Sequence, residues 1–217
     1  MRKPKLIISK CLNSEKCRYN GQAYDDKVIS LLRKYVDLET VCPETEIGLK
    51  VPRNPIRIEK YDNKYKLVEP SDNIDYTSQM MEFAEEFLSN IGDVDGFILK
   101  SKSPSCGVKD VKIYPKNQKC SISNKGQGIF SSKIIEKYST IPIEDEGRLR
   151  NYNIRDEFLT KIFTINNLKC ENPGNCPGQA LNVMNIKKAG AKHILIGNCT
   201  DCSNTVMASA SKMNLEV

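Results

Sequence analysis

Histidine is almost missing: His193 stands alone in 217 residues. A zinc site built on histidine pairs is therefore excluded, and metal chemistry would have to run through cysteine. Long apolar runs are missing too. The opening MRKPKLIISKCLN is basic, but its apolar stretch is only LII. That is too short for a signal-peptide core, and no stretch approaches the roughly 18 apolar residues of a membrane span. The expectation is a soluble, cytoplasmic protein with no membrane partner. Arginine-rich runs and aromatic-studded RNA motifs are lacking as well. The formal charge of +6 would favour an anionic partner such as RNA or a nucleotide, but the lysines are scattered and read first as a solvated surface. No internal repeat or low-complexity tract is present.

Hydrophobic residues make up 39% of the chain and charged residues 28%, which predicts a globular core. The length suits one large domain, or one domain with a small appendage. Nine cysteines are many for this size. Their odd number and the expected cytosolic setting argue against a disulfide scaffold. Iron–sulfur, all-cysteine zinc and thiol redox chemistry remain open.

The apolar run KLIIS (residues 5–9) predicts a buried strand leading to Cys11. Residues 26–35 (DKVISLLRKY) carry helical spacing, with Asp25 or Asp26 as cap. LETVC (38–42) is a second short strand closed by Pro43. Residues 50–70, rich in proline and turn formers, predict a loop and a hairpin. A helix follows within 73–91, whose Met80, Phe83 and Phe87 stripe reads as core. VDGFILK (94–100) is a third strand and delivers the loop SKSPSCG. Residues 128–138 predict another helix, and 141–143 a short strand before EDEGRLRN. Beyond about Arg155 a helix, KCENPGNCPGQ, a second helix, the strand HILIG, NCTDC and a last helix read as a separate unit. The expected class is α/β: a mostly parallel sheet with flanking helices, over residues 1–155, plus a small C-terminal β-α-β-α unit over 156–217.

Ligands of parallel sheets bind beyond the carboxyl ends of the strands. Cys11, Cys42 and Cys106 each follow a predicted strand, so the fold can gather them at one edge although they are distant in sequence. None belongs to a tight Cys-x-x-Cys pair. Their flanks, Pro43, Pro104 and Gly107, form loops, and SKSPSCG sets three hydroxyls beside one thiol. This convergence argues for a metal or catalytic site rather than three separately buried thiols. Three thiolates can hold an iron–sulfur cubane and leave a fourth iron open as a Lewis acid.

The segments KLIISKCLNSEKCRYNG, VCPETEIGLKVPR, GFILKSKSPSCG and GQGIFSSKIIEKY with IPIEDEGRL resemble, in order, the thiouracil desulfidase (TudS-type) family. The resemblance covers about residues 3–150. It implies a 4Fe-4S cluster with one open iron, held by Cys11, Cys42 and Cys106. It also implies non-redox removal of sulfur from a thiolated pyrimidine: thiouracil as free base, or 4-thiouridine in a nucleoside or in tRNA. Water attack on the thiocarbonyl carbon needs proton transfer. Glu44, in CPE, is the candidate base or acid, with pairing to Arg53 or helix capping as its bland alternative. Ser103 is the candidate for orienting water or the base, and Ser101 a weaker one; either serine can instead merely shape the loop.

Cys17 reads as structural before it reads as an accessory thiol, and Cys120 as neither ligand nor catalyst. Cys170, Cys176, Cys199 and Cys202 fall outside the resemblance. They leave open a second metal site, a redox or persulfide relay to a sulfur acceptor, or a structural role. Two alternative functions follow: a sulfur-trafficking protein that holds sulfide on a cluster, and a non-catalytic RNA- or metal-binding protein.

Overall fold

Lys5–Ser9 (β1) is an apolar strand buried from Leu6 onward, as expected of a strand covered on both faces of a parallel sheet. A single 3-10 turn, Lys10–Leu12, carries Cys11. Helix α1 (Lys27–Leu32) starts at Asp26, whose carboxylate accepts from the amides of Val28 and Ile29. Then come β2 (Asp37–Val41) and the one-turn α2 (Pro43–Glu46). The hairpin of β3 (Arg57–Tyr61) and β4 (Lys64–Glu69) is followed by β5 (Ile74–Asp75) and the long α3 (Thr77–Asn90). The chain continues through β6 (Gly96–Leu99), β7 (Val111–Pro115), β8 (Ser123–Gly126), α4 (Ile129–Lys137), β9 (Ile143–Asp145) and α5 (Tyr152–Thr164). This computed structural model describes residues 3–62 and 64–164. The predicted C-terminal β-α-β-α unit and its four cysteines lie outside the described residues. No helix among the described residues is long and apolar enough to cross a membrane.

The chain falls into two compact units, one spanning Arg2–Ile154 and the other beginning at Arg155. Two sheets build the first. One has four parallel strands in the order β2-β1-β6-β9, and the expected α/β class holds. The other has five strands, β5-β4-β3-β7-β8, antiparallel except for the parallel pair β3–β7. Strands β7 and β8 escaped the sequence reading. They are short, interrupted by lysines and closed by Pro115, so they carry no long apolar run. The last strand of the parallel sheet is Ile143–Asp145, shifted toward the acidic EDE from the predicted 141–143.

One core joins these layers. Ile7, Val41, Phe97 and Leu99 of the parallel sheet share it with Ile58, Leu67, Val111 and Ile113 of the mixed sheet. Met80 is fully buried, and Phe83 and Phe87 of α3 meet Phe130 of α4 with ring centroids 5.9 and 5.6 Å apart. The stripe predicted as core is core.

Helix α4 also holds the cysteine loop. Amides at a helix start have no intrahelical acceptor. Here Ile129 N–H donates to Pro104 carbonyl (3.1 Å) and Ser131 N–H to Ser105 carbonyl (3.1 Å). Ser131 Oγ donates to Gly107 carbonyl (2.7 Å). The fit is tight enough that a Cβ on Gly128 would lie 2.3 Å from the Ser105 carbonyl oxygen. Gly128→Ala should therefore cost about 1–3 kcal/mol by forcing loop and helix apart. A lowered thermal midpoint, with faster amide exchange at residues 105–107, is the expected result; an unchanged midpoint would contradict it.

Candidate functional site

Four parallel strands end at one edge because their registers align: Ser9 pairs with Val41, Ile8 with Ile98, and Leu99 with Asp145. Each strand hands over a polar segment there. β1 leads to Cys11, β2 to Cys42 and Glu44, β6 to the loop 100–107, and β9 to Glu146. Cys11, Cys17, Cys42, Glu44, Ser101, Ser103 and Cys106 all line one cavity of about 470 Å³. Tyr19, Arg53, Lys100 and Tyr114 also border it.

The three strand-end cysteines are buried, with 8%, 9% and 5% exposure for Cys11, Cys42 and Cys106. Cys17 is buried with them. Cys42 Sγ donates to the Cys17 carbonyl (3.9 Å), and Cys11, Cys17 and Cys42 line the same cavity. The Cys17 thiol is pushed up to about 11, first by hydrogen bonding with Cys11 and then by burial, with Cys42 working against the rise. The Cys42 thiol is raised by Cys17 and then by burial. The Cys106 thiol is raised chiefly by burial, while Ser9 and Ser103 hydroxyls work against that rise. A buried thiolate here needs a cation to compensate it. Among the described residues, no three cysteine, histidine, aspartate or glutamate side chains converge on a point that a single ion would occupy. The sulfurs border a volume instead. Soft donors spread around a space of this size fit a multi-iron sulfur cluster, and the donor set contains no imidazole.

Glu44 projects from the first turn of α2. Arg53 Nε donates to its Oε2 (3.1 Å), Arg53 Nη2 forms an ion pair with the same oxygen, and Ser105 Oγ donates to Oε1 (2.9 Å). Arg53 also donates to the Cys17 carbonyl (3.1 Å). The pairing of Glu44 with Arg53 is thus present, inside the cavity wall. Ser105, completely buried, and Arg53 were not singled out as working residues from sequence. Ser105 lies within SPSC, but only the fold turns its hydroxyl to a carboxylate 61 positions away.

Ser103 Oγ accepts from the amides of Ser105 (3.2 Å) and Cys106 (3.1 Å), tightening the loop around the thiol. Ser101 is held differently. Its amide and hydroxyl both donate to Glu146, at 2.7 Å each. Lys102 between them adopts a left-handed φ of 61°, strained for a residue with a Cβ, and its amide donates to Asp110 (2.8 Å). Cys120 is exposed and does not border the cavity.

The chain matches the 2-thiouracil desulfurase family over residues 6–146. An uncharacterised protein of Bacillus subtilis (strain 168), YbbK, is 34% identical over 114 residues, covering 47% of this chain and 72% of that protein. Among solved structures, the 4Fe-4S-dependent thiouracil desulfidase TudS superposes with a TM-score of 0.55 at 25% identity, over 68% of this chain and 94% of its own.

Burial and raised thiol pKa values have a direct chemical consequence for the metal-free protein. At pH 8, iodoacetamide should modify exposed Cys120 before Cys17, Cys42 or Cys106, because only the ionised, accessible thiol reacts. Peptide mapping by mass spectrometry reads the order. Modification of Cys42 or Cys106 as fast as Cys120 would contradict the site as described.

Proposed function

The chain belongs to the 2-thiouracil desulfurase family, and on that premise we propose that it converts a thiolated pyrimidine to its oxo form with release of sulfide. The proposed substrates are thiouracil, or 4-thiouridine in a nucleoside or in tRNA. The proposed cofactor is a 4Fe-4S cluster with one open iron, held by Cys11, Cys42 and Cys106. The observation that supports this reading best is the meeting of those thiols and Glu44 in one cavity at the ends of parallel strands. When bound, such a cluster supplies a Lewis-acidic iron for the soft sulfur of the thiocarbonyl.

The rest of the reaction falls to the protein's own groups. Water adds its oxygen to the ring carbon, the carbon–sulfur bond breaks, and sulfur leaves as hydrosulfide; no electrons are gained or lost. Glu44 is the proposed proton acceptor from that water and returns the proton to the departing sulfur or a ring nitrogen. Arg53 and Ser105 fix the carboxylate from two sides, so its proton-accepting oxygens keep one orientation without a search over rotamers. Ser103 holds the loop by accepting from the Ser105 and Cys106 amides, and its hydroxyl works against the rise of the Cys106 thiol. Ser101 is the other proposed hydroxyl of the site and lines the same cavity. Aromatic Tyr19 and Tyr114 give the cavity apolar walls suited to a flat ring.

Anaerobically reconstituted protein should bleach the thiocarbonyl absorbance of 2-thiouracil or 4-thiouridine and release one sulfide per turnover. Binding without sulfide release would favour a trafficking or storage role instead. Single alanine substitutions of Cys11, Cys42 and Cys106 should each sharply lower bound iron and abolish turnover. Glu44→Gln should keep the cluster spectrum and lose about 10²-fold or more in rate. A fully active Glu44→Gln enzyme would move the proton transfer to another group.

A further inference from the structure

Lys100 and Glu146 form a pair that the chemistry above leaves without a task. Glu146 is buried, at 3% exposure, one residue past the end of β9. It forms an ion pair with Lys100 Nζ. Its two oxygens also take both donors of Ser101, the hydroxyl on Oε1 and the amide on Oε2, each at 2.7 Å. Lys100 Nζ in turn donates to Ser101 Oγ (3.2 Å) and reaches the Ser101 carbonyl (3.4 Å). Three acceptors use the three hydrogens of the ammonium, so Lys100 has none to spend on a ligand.

The polarity of the serine follows from these partners. A carboxylate only accepts and an ammonium only donates. The single hydroxyl hydrogen of Ser101 is therefore committed to Glu146, and one lone pair to Lys100. The hydroxyl keeps a second lone pair and no hydrogen, and Ser101 borders the cavity. Unlike an ordinary serine, it cannot rotate to become a donor.

We propose that Lys100 and Glu146 are positioning residues that hold Ser101 as an obligate hydrogen-bond acceptor for a pyrimidine ring N–H. This rests on the reading of the cavity as a thiopyrimidine site. The N–H in question is N3–H, the donor adjacent to the thiocarbonyl in both 2-thio and 4-thio rings and retained when N1 carries a sugar. The thione tautomer presents this hydrogen; a thiol tautomer deprotonated at N3 presents a lone pair, which Ser101 repels. The arrangement therefore selects the tautomer that carries a thiocarbonyl and excludes rings substituted at N3. A site built to receive a hydrogen discriminates strongly against a ligand that lacks it, because the buried acceptor is left unpaired.

Binding of the oxo products tests this without turnover. Holoenzyme should bind uracil and 1-methyluracil alike, and 3-methyluracil at least about tenfold more weakly. Ser101→Ala should bring uracil and 3-methyluracil to within about twofold of each other, and Ser101→Thr should keep the wild-type preference. Lys100→Met and Glu146→Gln, compared at matched thermal midpoints, should also narrow the preference, with KM for thiouracil raised more than kcat is lowered. Wild-type discrimination retained in Ser101→Ala would overturn the proposal, as would equal loss of both ligands. If wild-type protein discriminates through Ser101 but releases no sulfide from thiouracil, the acceptor role stands and the desulfuration reading falls.

Discussion

Parallel pairing of β1 with β2 on one side and β6 on the other is what every group in the cavity hangs from. These strands are short, and β1 and β6 have side chains buried on both faces, so their register is held by core packing as well as by the ladder. A slip of one residue would turn Leu6 and Ile8 toward the layer now filled by Ile7, and the whole apolar set would resist it. The same resistance sets where the chain leaves each strand. Cys11, Cys42 and the loop 100–107 are thus delivered by a constraint that has nothing to do with thiols. The polar site inherits its geometry from an apolar sheet.

The loops themselves are then locked by polar groups that would be costly to bury alone. The cysteine loop has its carbonyls bonded to the first turn of α4 and its amides to Ser103. Glu44 is bonded by Arg53 and Ser105, and Glu146 by Lys100 and Ser101. Each of these two carboxylates has a cationic and a hydroxyl donor beside it, which offsets the penalty for buried charge. The thiols differ: Cys17 and Cys42 are raised chiefly by a neighbouring cysteine and by burial, and Cys106 chiefly by burial. Carboxylates satisfied internally and thiols left wanting a cation describe a site in which one class of group is the frame and the other the receiver.

The two carboxylates also divide the cavity rim into functions of opposite sense. Glu44 is bonded by Arg53 and by the Ser105 hydroxyl, and is the proposed proton acceptor. Glu146 is bonded by Lys100 and by both donors of Ser101, and its proposed influence runs through that serine. The proposed acid–base chemistry and the proposed reading of a ring N–H thus come from the same residue type, separated by what surrounds it.

Much of this was legible in the chain itself, and the reason is local. Apolar periodicity identified β1, β2, β6, α3 and α4 within a few residues, because burial on a strand or one helix face must appear as spacing. The position of three cysteines just after strands was equally visible. Strands β7 and β8 were not, since lysine and proline break their pattern and only pairing with β3 makes them strands. Cys17 read as structural before accessory, and the fold sets it in the wall of the same cavity as Cys11 and Cys42. Arg53 was visible only as a possible partner of Glu44 and Ser105 only as one of three loop hydroxyls, while Lys100 and Glu146 had no signal of their own. Glu146 stands 45 positions from Ser101, and Ser105 stands 61 from Glu44. A hydrogen bond has a range of about 3 Å and no memory of sequence distance. Spacing therefore announces which groups turn inward, but only the packed sheet decides which donor meets which acceptor.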